Sequence, residues 1–268
     1  MSKNEGKLPA VRRAKIKTAL ATPGRSRLPA ALPEAHGEAV RRDGGTTLVT
    51  GRAYVTTLQT IPAEQIFYVD GLKPRGDGPW IGEADKIAWR DEATGYECIV
   101  MRADQGGHLG GYVAVPRSHP LYGFERRAIP PELGIEVHGG LTYSRMCEHG
   151  PAPDHRIVAE ARRICHVPIG ASRSAPVVHA TDYRVEDAHA WWLGFECNGT
   201  SDVVPGDDGH RARAAGVGIT QVYRDDAYVC NEVLSLAAQL RAIEDGLPVP
   251  PRSGPPLPPL GPDPKRGS

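Results

Sequence analysis

The sequence predicts an α+β domain, an antiparallel β-sheet forming a meander of about five strands, packed by one C-terminal amphipathic helix. Three observations predict it. β-favouring runs at 86–90, 96–102 and 110–115 are separated by DEATG and DQGG, which supply the Asp and Gly that tight turns need. Two further strand-like runs follow, at Leu133–Ser144 and Ala188–Cys197. A helical period appears last, over RDDAYVCNEVLSLAAQLRAIEDG. Strands segregated from a helix exclude an alternating βαβ fold.

In chain order, residues 1–45 mix Lys, Arg, Pro, Ala and Gly without a sustained period and read as a flexible basic arm, with a short helix around Val11–Leu20. The folded domain spans residues 46–246. TTLVTGRAYVTTLQTI at its start is rich in Thr and Val and reads as strand or extended edge. The three-strand meander follows, then LGIEVHGGLTYS as a strand interrupted by a Gly pair. In the last helix Val229, Val233, Leu236, Leu240 and Ile243 recur at spacings of 3 or 4. Asp225 and Asp226 suit its N-terminus, and Gly246 with Pro248 stops it. Residues 247–268 hold nine prolines and read as an extended or disordered tail, a segment of the kind proline-binding domains take as partners.

The chain has 268 residues, with 32 basic and 32 acidic side chains. This balance gives no global reason to bind nucleic acid. The first 45 residues nevertheless carry ten Lys or Arg against four Asp or Glu, a net +6 that leaves −6 on the remainder. A nucleic-acid partner is indicated by nothing except this arm. No apolar run approaches the ~20 residues of a membrane helix, so no membrane association is expected. Five cysteines at 98, 147, 165, 197 and 230 show no disulfide framework, and a reducing, cytoplasmic location is the expectation.

IEVHGGLTYS carries the strongest site signal. With period 2, Glu136 and His138 share one face of a strand, where the carboxylate would orient the imidazole for acid–base work. Thr142 returns a hydroxyl nearby, to position substrate. The structural alternative is a β-bulge with a hydrogen-bonded histidine. His119, in VPRSHPLYG, forms a pocket wall or simply orders its loop. WWLGFECNGTSD contributes Glu196 and Asp202, which would hold a divalent cation or polarise water. Cys197 is a weaker nucleophile candidate, better read as a small core residue. Trp191 and Trp192 offer stacking surface, and Arg102 completes the substrate-binding set. Cys147, His149, Asp154, His155, Cys165 and His166 are zinc-binding types at spacings unlike a structural zinc module. No phosphate loop, GxGxxG, GxSxG or HExxH motif is present.

Several stretches resemble a family of uncharacterised proteins of bacteria and their phages. They are GPWIGEADKIAWRDEATGYECIVMR, GGYVAVPRSHPLYG, IEVHGGLTYS, WWLGFECNGTSDVVPG and YRDDAYVCNEVLSLAAQL, covering about residues 78–242. The resemblance implies a shared fold and a shared site at His119, His138, Thr142, Cys197 and Asp202. This chain departs from the pattern at Glu196, Gly199 and Ser201, where the family often has Asp, His and Gly. The site residues together lead to the expectation of a hydrolase or phosphoesterase for a small anionic substrate. Its alternative is a non-catalytic phage or mobile-element module that binds or sequesters a nucleotide or a host protein.

Overall fold

Lys86–Arg90 (β6), Glu97–Arg102 (β7) and Leu109–Val115 (β8) form the expected meander, each strand antiparallel to the next. The computed structural model describes residues 38–147, 157–165 and 190–257. Within them the sheet has eight strands rather than about five. Ala39–Asp43 (β1), Thr46–Thr50 (β2) and Gln65–Val69 (β5) extend it on one side. A separate two-stranded ribbon joins Tyr54–Val55 (β3) to Thr60–Ile61 (β4). β1 lies inside the segment read as an arm, paired in a hairpin with β2, though every residue of it is exposed.

On the other side the topology leaves the meander. Tyr143–Met146 (β9) is the sheet edge, and Trp191–Glu196 (β10) is inserted between β8 and β9. The strand expected over Leu133–Ser144 therefore forms only at its end. A 3-10 turn occupies Pro131–Leu133, and Gly140 N–H closes a turn onto Val137 O at 2.9 Å. Gly139 and Gly140 have φ of 65° and 77°, left-handed values that a strand cannot contain.

The core has two sides. On one, Ile87, Val100, Val113, Leu193 and Phe195 meet Val229, Val233, Leu236 and Leu240 of the helix Asp226–Glu244. Those four helix residues are each 0% exposed, and burial of such a side chain stabilises by roughly 1.5–3 kcal/mol. On the other, Ala88, Ile99, Tyr112, Ala114 and Trp192 pack with Cys147 and Cys165. A short helix, Ile157–Ala161 (α1), covers β2 and β5. Asp208–Gly216 forms α2, and Asp226–Glu244 is α3. Asp225 caps α3 by accepting a bond from Tyr228 N–H at 2.9 Å. Beyond α3 the described part of the proline-rich segment, up to Leu257, has no regular secondary structure.

Cys147 and Cys165 form a disulfide with Cα atoms 5.5 Å apart, correcting the expectation of unpaired cysteines. Cys98, Cys197 and Cys230 are free and buried. No helix among the described residues is long and apolar enough to cross a membrane.

Candidate functional site

The segment preceding the Gly pair is held against α3 by side chains on the helix. Gln239 clamps the backbone of Glu136 at both ends, Oε1 accepting from N–H at 2.8 Å and Nε2 donating to C=O at 2.9 Å. Seven residues earlier, Glu232 accepts the backbone N–H of His138 at 3.1 Å. Glu232 and Gln239 are both 0% exposed. A polar pair two helical turns apart thus takes the place of a neighbouring strand, satisfying backbone groups that burial would otherwise strand.

This clamp delivers the imidazole of His138 between Phe195 and Tyr228, with ring centroids 6.4 and 5.5 Å away. Nε2 of His138 lies 2.8 Å from Asp202 Oδ2, and Nδ1 lies 2.8 Å from Tyr228 OH. Asp202 is itself fixed. Gly199 N–H donates to its Oδ2 at 2.9 Å, and Arg224 Nε donates to its Oδ1 at 3.0 Å. A parallel bridge between Asp202 and Val222 brings Arg224 into reach. The Arg224 guanidinium then lies 4.8 Å over the Tyr228 ring, within cation–π range.

A carboxylate can only accept, so the Nε2 facing Asp202 carries the proton. Nδ1 of a neutral ring must then accept from Tyr228, while that of an imidazolium donates to it. Burial, followed by the nearby Glu232 charge, pushes the Tyr228 phenol above its ordinary range, while Arg224 pulls it down. The hydroxyl therefore stays protonated around neutrality. Tyr228 is also only half-buried, whereas His138 and Asp202 are 1% and 0% exposed. Tyr228 is thus the least buried of the three residues.

Of the residues expected at the site, His138 and Asp202 meet and the others do not join them. His119 is buried near the far end of α3, donating through Nε2 to Leu240 O at 2.9 Å and accepting Leu121 N–H on Nδ1 at 3.0 Å. Both ring nitrogens order the loop, and burial holds its pKa below the ordinary value. Leu240 is twelve residues beyond Tyr228, about 18 Å along the helix. Glu136 is exposed, so the shared face with His138 is corrected: no strand forms there, and Glu136 meets α3 through its backbone.

Glu196 faces the side of the sheet away from α3. β10 alternates, with Leu193, Phe195 and Cys197 under the helix and Trp192 among the residues on the opposite side. Asn198 donates to Glu196 at 3.1 Å, and the buried His108 lies 3.9 Å from it. A cation bridging Glu196 and Asp202 is therefore not supported, and no group of three His, Cys, Asp or Glu among the described residues could hold a metal. His149, Asp154, His155 and His166 lie outside the described residues.

Trp192 is 1% exposed and belongs to the core. Trp191 is half-buried, its indole N–H donating to Ser144 Oγ at 2.9 Å and its ring 5.9 Å from Tyr122. Neither indole stands beside Tyr228 as a stacking wall. Thr142 donates its backbone N–H to Gly194 O at 2.9 Å, and its Oγ1 is buried.

Arg102 is the centre of a second buried network. It reaches Asp85 at 2.9 Å, Glu83 at 2.7 Å, Tyr223 OH at 3.1 Å and Gly107 O at 2.8 Å. Nearby, Asp226 accepts from Tyr54 OH at 2.5 Å, and burial raises its carboxyl to about 6.

The residues that sequence reasoning missed are Tyr228, Arg224, Glu232 and Arg252. One signal was present: Glu232 and Gln239 interrupt the apolar flank of α3 seven residues apart, on the face that must be buried. Neither a family model, nor a curated protein, nor a solved structure matches the chain.

Proposed function

We propose that the protein is an enzyme of the hydrolase or phosphoesterase class, acting on a small anionic substrate at Tyr228. One observation carries this reading: the His138 ring is held at 2.8 Å on both nitrogens, between a buried carboxylate and a half-exposed phenol. Arg224, over the Tyr228 ring, supplies positive charge for the anion, whereas Arg252, whose Nη2 lies 3.4 Å from the phenol oxygen, is paired with the buried Glu232.

With His138 as imidazolium, Nδ1–H donates to the Tyr228 oxygen and the phenolic proton points outward. As water adds to the carbonyl carbon or phosphorus and the ester bond breaks, Tyr228 gives that proton to the departing oxygen and Nδ1 passes its own to the phenol. The ring is left neutral, with Asp202 still accepting from Nε2. In the return step the Tyr228 oxygen takes the proton that the added water releases, while its own moves back to Nδ1. One proton thus moves out and one moves in, and no group changes charge overall.

A second reading is a non-catalytic binding module for the same anion. It is favoured by the saturation of Asp202, whose two oxygens already accept from Arg224, His138 and Gly199. The two separate experimentally. Turnover of a panel of phosphate and carboxylate esters is expected for the wild-type chain and should fall on the order of 100-fold in Tyr228→Phe. Wild-type binding of an anion without turnover, unaltered in Tyr228→Phe, would overturn the enzymatic reading.

The resemblance around VHGGLT and GFEC supports kinship with proteins of bacteria and their phages. The Cys147–Cys165 disulfide favours an oxidising compartment over the cytoplasm that the scattered cysteines suggested.

A further inference from the structure

Arg224 is used differently from Arg102 and Arg252. Those two spend every guanidinium nitrogen on the protein, Arg102 on Asp85, Gly107, Tyr223 and Glu83, and Arg252 on Glu232, Pro255 and Tyr228. Arg224 spends one. Its Nε donates to Asp202 Oδ1 at 3.0 Å, and among the described residues neither Nη has a hydrogen-bond partner. The side chain is 13% exposed, and neither Nη is sealed from solvent. A planar fork anchored at one end and open at the other takes an oxyanion through two parallel N–H bonds.

Asp202 also sets where that anion sits. Its Oδ1 holds Arg224 while its Oδ2 faces His138 Nε2 at 2.8 Å, so one buried carboxylate aligns the fork with the imidazole. The guanidinium lies 4.8 Å over the Tyr228 ring, whose hydroxyl is 2.8 Å from His138 Nδ1. An anion on the fork is therefore a neighbour of the phenol. In a carboxylic ester the reacting carbonyl is neutral, and any charge sits elsewhere in the molecule. In a phosphoester the charged oxygens and the breaking bond share one phosphorus atom. A fork beside a phenol fits the phosphoester.

Charge separates the two kinds of phosphoester. Glu232 and Arg252 cancel as a pair, and Asp225 is spent on the N-terminus of α3. Asp202, Arg224 and His138 as imidazolium leave one net positive charge. A monoester brings about −1.5 to −2 at neutral pH, whereas a diester has a single ionised oxygen to match.

We propose that the substrate at Tyr228 is a small phosphodiester, its two non-bridging oxygens held by Nη1 and Nη2 of Arg224. This rests on the enzymatic reading above. Water adds to phosphorus, one P–O ester bond breaks, and the departing alkoxide takes the Tyr228 proton. The products are an alcohol and a phosphomonoester, whose further ionisation no longer matches the site and favours release.

Three para-nitrophenyl compounds test this with the full-length chain: the bis-aryl phosphate, the aryl phosphate and the aryl hemisuccinate. Taken relative to the uncatalysed rate, kcat/KM should be highest for the diester, by roughly tenfold or more. Arg224→Lys keeps the charge and loses the fork. It should lower the diester value roughly tenfold and change the hemisuccinate value little. Preference for the monoester or the hemisuccinate overturns the phosphodiester and leaves the enzymatic reading standing. No enhancement for any of the three overturns both. An Arg224→Lys chain with the wild-type diester value overturns the fork. If that variant does not fold, dimethyl phosphate should inhibit wild type more tightly than methyl phosphate, and the reverse order is equally fatal. A cyclic mononucleotide and glycerophosphocholine then identify the alcohol. Both have alkyl leaving groups, so whichever is cleaved should lose on the order of 100-fold in Tyr228→Phe. Cleavage of neither, or cleavage that Tyr228→Phe leaves unchanged, overturns the proposal.

Discussion

Nε2 of His138 and Oδ2 of Asp202, 64 residues apart in sequence, lie 2.8 Å from each other in the interior of the fold. The pair joins two segments that belong to no regular element, the turn before Gly139–Gly140 and the loop after β10. Asp202→Ala would leave both His138 and Arg224 facing an empty space. The expected cost is about 3–5 kcal/mol, read from urea denaturation, because a buried charged partner is left behind. Asp202→Asn, which can still accept from Gly199 N–H, should cost less. Equal stability of wild type and Asp202→Ala would show that the pair contributes nothing to the fold.

Arg102→Met removes the hub that compensates Asp85, which is 0% exposed, and Glu83, which is 5% exposed. The loss should again be on the order of 3–5 kcal/mol. Arg102→Lys should recover little of it, since an ammonium cannot reproduce the fork that reaches Asp85, Glu83, Tyr223 and Gly107 together. Thermal melts of the two variants decide this. A lysine that restores the wild-type midpoint would contradict it.

The Cys147–Cys165 bridge spans a sequence separation of 18 and should stabilise by roughly 3 kcal/mol through the closed loop. Thiol titration of the denatured, unreduced chain should count the three cysteines that are free and buried. Reduction, or Cys147→Ser, should lower the melting temperature. A titration that finds five thiols would rule the bridge out.

Lys86 donates to the carbonyls of Glu160, Arg163 and Cys165 at 2.6, 2.8 and 3.0 Å, in a fully enclosed position. Burial pushes its ammonium down to about 7, against the pull of the Glu160 carboxylate. Above that value the unfolded chain holds a proton that the folded chain has released, so stability rises with pH from about 7 toward the ordinary lysine range. From pH ~7 to ~9.5 the gain should approach about 3 kcal/mol. Lys86→Met lacks this titration, so the stability of wild type relative to the variant should improve as pH rises. A difference that stays flat across that window would refute it.

Much of the fold was legible because local chemistry dictated it. The Asp and Gly turns at 91–95 and 104–107 cut β6, β7 and β8 close to their observed bounds, and the apolar spacing of α3 named the face it buries. The misreadings have one cause, tertiary contacts that replace local rules. Gln239 and Glu232 hold Glu136 and His138 in place of a neighbouring strand, so the period-2 pairing of those side chains never forms. Glu196 and Asp202, six residues apart in one stretch, diverge because β10 sends Glu196 to the face away from α3. Tyr228 escaped notice because a lone tyrosine in an amphipathic helix looks like packing. Only the fold supplies the histidine that bonds it.

The insertion of β10 between β8 and β9 also governs how the chain assembles. β8 is buried along its whole length, yet its second neighbour is not synthesised until residue 191. Until then an apolar strand presents an unpaired edge, the kind of surface through which chains associate wrongly. β9 must wait as well, since it pairs in the sheet through β10. Closure of this half of the sheet is therefore a long-range event, slow by its topology and exposed to aggregation while it is pending. On the ribosome, the last strand of the sheet to be synthesised takes an interior place in it.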